Sequence, residues 1–240
     1  MKTLRFPHVI VAGCLFSILA GCQAARMAIP AELETHSVTY PCIGRSGFTL
    51  TETFSFGPYQ LSQVHRGWTQ TTAWGIVFFE RSHTRQSYEF TLQAPNGESW
   101  KGQAATGVRK SDLKGTVAGG DLTWGLDSDQ QFIVRIGRGD APEAWTLALA
   151  EGSRDSTLRG RFSDGTTTYQ VEGTRQLAGS PMPLMDTAGF LIGDGSRIIA
   201  AVDLINAGSV TFDSSLSAAR RDPLAAAAAA LLLYQNLSDR

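Results

Sequence analysis

Only three of the 240 residues are cysteine, and no two of them stand in a C-x-x-C pair. A disulfide scaffold is excluded on that ground, and a cysteine-built zinc centre has no support. Neither sign of charge is in excess: 21 basic and 22 acidic residues leave a net charge of −1, with no concentrated basic stretch. That balance argues against a nucleic-acid binder or a polybasic membrane patch. Long apolar runs are missing too. The mostly apolar stretch at residues 6–20 contains Pro7 and His8 and falls short of the roughly 20 residues a spanning helix needs. No G-x-S-x-G elbow, Walker loop or complete G-x-G-x-x-G occurs, since Gly137-Arg138-Gly139 stops short of the last and precedes Pro142.

What is present is a β-rich composition. The chain is 42% hydrophobic, enough for a proper core, and holds 25 glycines, with turn dipeptides between short apolar runs. Alternation dominates residues 48–56, where Phe48, Leu50, Phe54 and Phe56 share one face and Thr49, Thr51, Thr53 and Ser55 the other. One face goes to a core and one to water. The pattern returns in Tyr88, Phe90, Leu92; in Leu122, Trp124, Leu126; in Phe132, Val134, Ile136; and in Trp145, Leu147, Leu149. Residues 74–79 are apolar on both faces, as a central strand is.

Asp164-Gly165 signals a two-residue type I′ hairpin that pairs Ser163 with Thr166, Gly160 with Tyr169 and Leu158 with Val171. Pro95-Asn96-Gly97 and Gly119-Gly120-Asp121 mark other turns. About a dozen strands at this spacing predict a mainly β fold, an antiparallel meander sandwich or barrel. Near the C-terminus, Asp222-Pro223 reads as a helix cap followed by proline at the first position, and residues 224–237 as a single α-helix. Six alanines at 225–230, then Leu231, Leu232 and Leu233, make it a smooth apolar rod. Its expected place is over a sheet or across a barrel end; partner binding and membrane contact are the alternatives.

The N-terminus carries an address. Lys2 and Arg5 precede the apolar stretch, as in an export signal, and the stretch ends in Leu19-Ala20-Gly21-Cys22, which resembles the lipobox of bacterial lipoproteins. That resemblance implies transfer of a diacylglycerol to the Cys22 thiol, cleavage before it and acylation of the freed amine. Gln23 rather than Asp follows, which by analogy with enteric lipoproteins implies the outer membrane. Removing 21 residues, two of them basic, leaves 219 residues with 19 basic and 22 acidic groups and a net charge of −3. Cys14 departs with the signal, so Cys42 is the one thiol left, either a small buried hydrophobe or an intermolecular link. The expected organisation is a signal at 1–21, a tether at 22–34, an all-β domain at 35–178, and at 185–240 a β-meander plus helix packed on that domain.

Candidate chemistry is sparse. His36, His65 and His83 match no metal spacing, and Asp127-Ser128-Asp129 lacks the rest of a calcium loop. A hydrolase would need one of these histidines to meet a serine and an acid. Arg138-Gly139-Asp140 reads as a turn. Glu52 lies on the apolar face of its strand, where it pairs with an arginine, sits near the strand end or lines a lumen. Trp68, Trp74, Trp100, Trp124 and Trp145 read as core or as the wall of a lipid-binding lumen. Tyr40-Pro41-Cys42 and Trp100-Lys101-Gly102-Gln103-Ala104-Ala105 are similar to elements of membrane-bound inhibitors of c-type lysozyme. That family's Ser-Gly inhibitory loop has no counterpart at 81–87.

The expectation is therefore a non-enzymatic envelope lipoprotein, anchored at Cys22 to the outer membrane on its periplasmic face. It needs no cofactor or metal and has a binding or assembly role toward an envelope protein or a lipid ligand. The alternatives are a lipocalin-like lipid carrier, a periplasmic lysozyme inhibitor and a hydrolase.

Overall fold

The computed structural model describes residues 24–45, 53–67, 86–106, 131–139, 144–151 and 157–234. Cys14, Cys22, Glu52, Trp68, Trp74, Trp124 and His83, the expected strands at 74–79 and 122–126, the turn at 119–121 and the Asp127-Ser128-Asp129 group lie outside these residues. Twelve strands follow in order: β1 (Ser37–Ile43), β2 (Phe54–Phe56), β3 (Tyr59–Arg66), β4 (Gln86–Gln93), β5 (Ser99–Thr106), β6 (Gln131–Arg138), β7 (Ala144–Glu151), β8 (Leu158–Ser163), β9 (Thr168–Thr174), β10 (Gly189–Gly193), β11 (Ile198–Asp203) and β12 (Ser209–Asp213). A short helix α1 (Ala31–Thr35) precedes them and α2 (Ala218–Leu233) follows. Each strand pairs antiparallel with its sequence neighbour, and β12 returns to β1, closing an up-and-down barrel. Val38 faces Phe212 and Tyr40 faces Val210 across that closing seam.

The period-2 pattern sets the two faces of the wall. Tyr88, Phe90, Leu92, Phe132, Val134, Ile136, Leu147 and Leu149 point inward and are buried. Their neighbours Glu89, Lys101, Gln103, Arg135, Arg159, Arg161 and Glu172 point outward, joined in places by contacts such as Arg159 to Glu172 at 3.3 Å. Charges at mid-strand on the outer face are what a lipid-facing barrel avoids. No helix among the described residues is long and apolar enough to cross a membrane.

The helix α2 lies inside the barrel. It touches β5 and β11, which stand six strands apart on opposite walls, and every residue from Leu224 to Leu233 is at most 1% exposed. Eight strands enclose a lumen that wall side chains alone fill, whereas larger barrels leave space over. Here a rod of alanine occupies that space, thin enough to fit within a ring of inward Tyr and Phe rings. The expected position on a sheet or across an end is thereby corrected. An all-apolar helix has no face to turn to water and is stable where every side is covered. Its start differs as well: α2 begins at Ala218 with Ser217 as N-cap, and Pro223 lies within it. Asp222 does not cap the helix; its carboxylate accepts a hydrogen bond from the buried Tyr59 hydroxyl at 2.8 Å.

Three further expectations change. The hairpin at Asp164-Gly165 pairs Ser163 with Thr168 and Phe162 with Tyr169, two residues out of the expected register. The Asp164 carboxylate accepts the backbone N–H groups of Thr166 (2.9 Å) and Thr167 (2.6 Å), which favours a four-residue connection. A shift of two preserves which residues face inward, so the core prediction survives while the pairs do not. Residues 185–240 are not a unit laid on another domain, because β10 hydrogen-bonds to β9 and the last three strands complete the one barrel. Nor is the described part of the tether free: Met27 and Leu33 are buried against the outer wall.

The two ends of the barrel differ. At one end the connections 57–58, 94–98, 139–143, 164–167 and 194–197 span five residues or fewer. At the other end β1, β3, β5, β7, β9 and β11 finish, and the described links there are 175–188 and 204–208. The helix enters at the short-turn end and terminates at the other, beside Arg45 and Arg66.

Candidate functional site

Both ends of the lumen helix are tied to the wall by polar groups. A helix leaves its last carbonyls without partners and carries partial negative charge there. The Tyr88 hydroxyl donates to the Ala230 carbonyl at 2.6 Å, Arg45 Nε to Leu232 at 3.0 Å and Arg66 Nη1 to Leu233 at 3.0 Å. The two guanidinium groups thus meet the helix dipole with the favourable sign. The following residue, Tyr234, packs on Phe132 with ring centres 4.9 Å apart, and burial pushes its hydroxyl up to about 12. At the entering end, Arg220 lies over the Tyr169 ring and reaches Asp194 at 3.2 Å. Hydrogen bonds from Ser196, with the Arg220 guanidinium beside them, hold the Asp194 carboxyl down at about 2.

On the outside, residues 24–36 pack on β10, β11 and the β9–β10 connection, with Thr39 of β1 and Thr211 of β12 facing them across a cleft. An isolated antiparallel bridge joins Met27 to Leu177, Ala28 donates to Gln176 at 2.9 Å, and Ala178 donates to Arg26 at 2.9 Å. The Met27 side chain fits because Gly189 stands beneath it; a Cβ there would overlap the Met27 sulfur and the Val202 carbonyl. Between this arm and the wall lies a cleft of about 390 Å³. Arg26, Met27, Ile29 and Glu34 line it from the arm, Thr39, Asp203, Ser209 and Thr211 from the wall, and Ala178 and Gly179 from the β9–β10 connection.

The cleft is polar on one side and apolar on the other. Thr39 Oγ1 and Thr211 Oγ1 are 2.9 Å apart, and Arg26 pairs with Glu34 at 3.3 Å at the rim. Asp203 accepts the backbone N–H groups of Met27 (3.0 Å) and Ile205 (2.8 Å), yet burial outweighs them and raises its carboxyl above the ordinary range. Such a set of hydroxyls, an ion pair and a half-buried acid can hold a polar ligand by hydrogen bonds. Asp203 stands directly across from Ser209 in the β11–β12 register.

The histidines do not converge among the described residues. His36 is exposed near the short-turn end, where its carbonyl accepts from Ser214, while His65 is exposed toward the other end, 2.9 Å from the Gln63 carbonyl. No group of three or more metal-ligating side chains occurs among the described residues. Trp145 stacks on Phe162 with ring centres 4.6 Å apart, and Trp100 is buried in the lumen. Gly102 takes part in packing as well, since a Cβ there would overlap the Phe90 ring. Cys42 is a buried free thiol, which desolvation pushes up to about 11.

Neither the cleft nor the capping arginines were visible in the sequence. Arg45 and Arg66 stand in no motif, and the cleft exists because an arm read as a tether folds onto strands over 170 positions away. The uniform apolarity of 224–233 was the one signal that pointed to a completely enclosed helix. Comparison of the chain with protein-family models, curated proteins and solved structures finds no match.

Proposed function

We propose that the protein is a lipid-anchored component of a bacterial envelope with a non-catalytic binding role, attached through Cys22 and directed to the outer membrane. The observation that carries this reading is the filled lumen. The space in which a lipid carrier holds its cargo is occupied by the chain's own helix, so recognition falls to the outer surface, where a cleft lies beneath the N-terminal arm. A water-facing, charged barrel wall agrees with attachment by lipid rather than by membrane-spanning strands.

Two measurements test the reading. Cys22→Ala is expected to abolish palmitate incorporation and to release the chain from membranes; continued labelling would refute the anchor. A photo-crosslinking residue at Ala178, on the rim of the cleft, should give a defined adduct in intact cells. The same probe at Thr166, on the distant short turn, should not. Absence of an adduct at Ala178, or equal adducts at both positions, would remove the cleft as the binding site.

A further inference from the structure

The arm is bonded to the barrel along its length, and this fixes where the anchor leaves the body. The Asn206 side chain donates to the Ala25 carbonyl at 3.0 Å, and Asp203 accepts the Met27 N–H at 3.0 Å. Met27 is 3% exposed. Asn206 belongs to the β11–β12 connection, at the end where the lumen helix terminates. Cys22 precedes Ala25 by three residues, and at most about 3.6 Å of chain per residue gives roughly 11 Å of reach. A lipidated Cys22 therefore cannot hold the barrel at a distance or let it turn end over end.

We infer that the end of the barrel at which the lumen helix terminates, marked by Asn206 and Ala207, is apposed to the phospholipid surface, with the short-turn end directed away from it. The inference rests on the proposed acylation of Cys22. The partner is the headgroup layer of the bilayer itself. Asn206 and Ala207 are exposed and no strand edge faces the surface, because the barrel is closed. Arg26, one residue after Ala25, is engaged with Glu34 at 3.3 Å on the arm itself, which stiffens the segment that leads to the exit point. The opposite end, with its Asp164 and Asp194 turns, then points into the aqueous space.

The test uses the full chain purified with its lipid from cells and reconstituted into phosphatidylethanolamine–phosphatidylglycerol vesicles that contain a headgroup-linked energy acceptor. In a Cys42→Ala background, a donor dye is placed on Ala207→Cys or on Thr166→Cys. Strands of this length separate the two sites by about 20 Å along the barrel axis, and at least twofold greater transfer is expected from Ala207. Met27→Asp, which expels the arm from its seat, should abolish the difference. Equal transfer from both sites, or greater transfer from Thr166, in a chain that floats with the vesicles, would overturn the orientation alone, whereas a difference that persists in Met27→Asp would overturn the Met27 seat as its cause. A chain that carries no acyl group and does not float would overturn the anchor and, with it, the orientation.

Discussion

Substituting leucine for each of the six alanines at 225–230 in turn distinguishes a helix inside the barrel from one lying on it. Successive residues turn by about 100° around a helix axis, so six in a row cover more than the full circle. A helix packed on an outer sheet would expose two or three of these positions, and leucine there would change stability by less than about 0.5 kcal/mol. Inside the lumen all six have 0% exposure, with inward rings of Tyr59, Tyr88, Phe132 and Phe190 closing the space around the rod. Three added carbons at any of them must displace wall side chains, at a cost of about 1–3 kcal/mol. With a urea dependence of about 1–3 kcal/mol per molar, each variant should unfold at a denaturant concentration lower by about 1 M. Gln170→Leu, on the outer face of β9, serves as the control and should keep the wild-type midpoint. Two or more tolerant alanine positions spaced as one helical face would refute placement of the helix in the lumen.

Removal of the Tyr59 hydroxyl in Tyr59→Phe leaves the buried Asp222 carboxylate without its 2.8 Å donor, and a loss of about 1–3 kcal/mol in urea unfolding is expected; an unchanged midpoint would show that water replaces the contact. Burial raises the Cys42 thiol to about 11, so the fold favours the neutral form. The stability linked to it is present below the unfolded thiol's pKa near 9 and is lost as pH rises toward 11, and Cys42→Ala should flatten the decline of the urea midpoint across that window. Iodoacetamide at pH 8 should modify Cys42 only after unfolding; prompt modification of the native chain would contradict its burial. Gly189→Ala forces a Cβ against the Met27 sulfur and the Val202 carbonyl, so trypsin should cleave after Arg26 several-fold faster than in the wild type, and equal cleavage rates would show that the arm does not depend on this seat.

The strands were legible because their signal is local. Alternation in Tyr88-Phe90-Leu92 or Phe132-Val134-Ile136 already says which side chains enter a core, whatever the strand pairs with. The turn at Asp164-Gly165 was located, but its length was not, since the Asp164 carboxylate gathers two later N–H groups and widens the connection. The site was less legible. Asp203 and Thr211 are ordinary strand residues until residues 24–36 fold across them, and Arg45 becomes a helix cap through a partner 187 positions away.

A β-meander with buried aromatic faces, turns at named places and one apolar helix can be read from the residues alone, because each of these depends on positions close together in the chain. The return of β12 to β1, the passage of the helix through the lumen and the seating of the N-terminal arm against the wall arise from contacts between distant segments. Closure depends on the sum of twelve strand tilts and staggers, and a closed ring of this size has an interior that must be filled. The alanine helix fills it because no other described segment is both thin and apolar on every side.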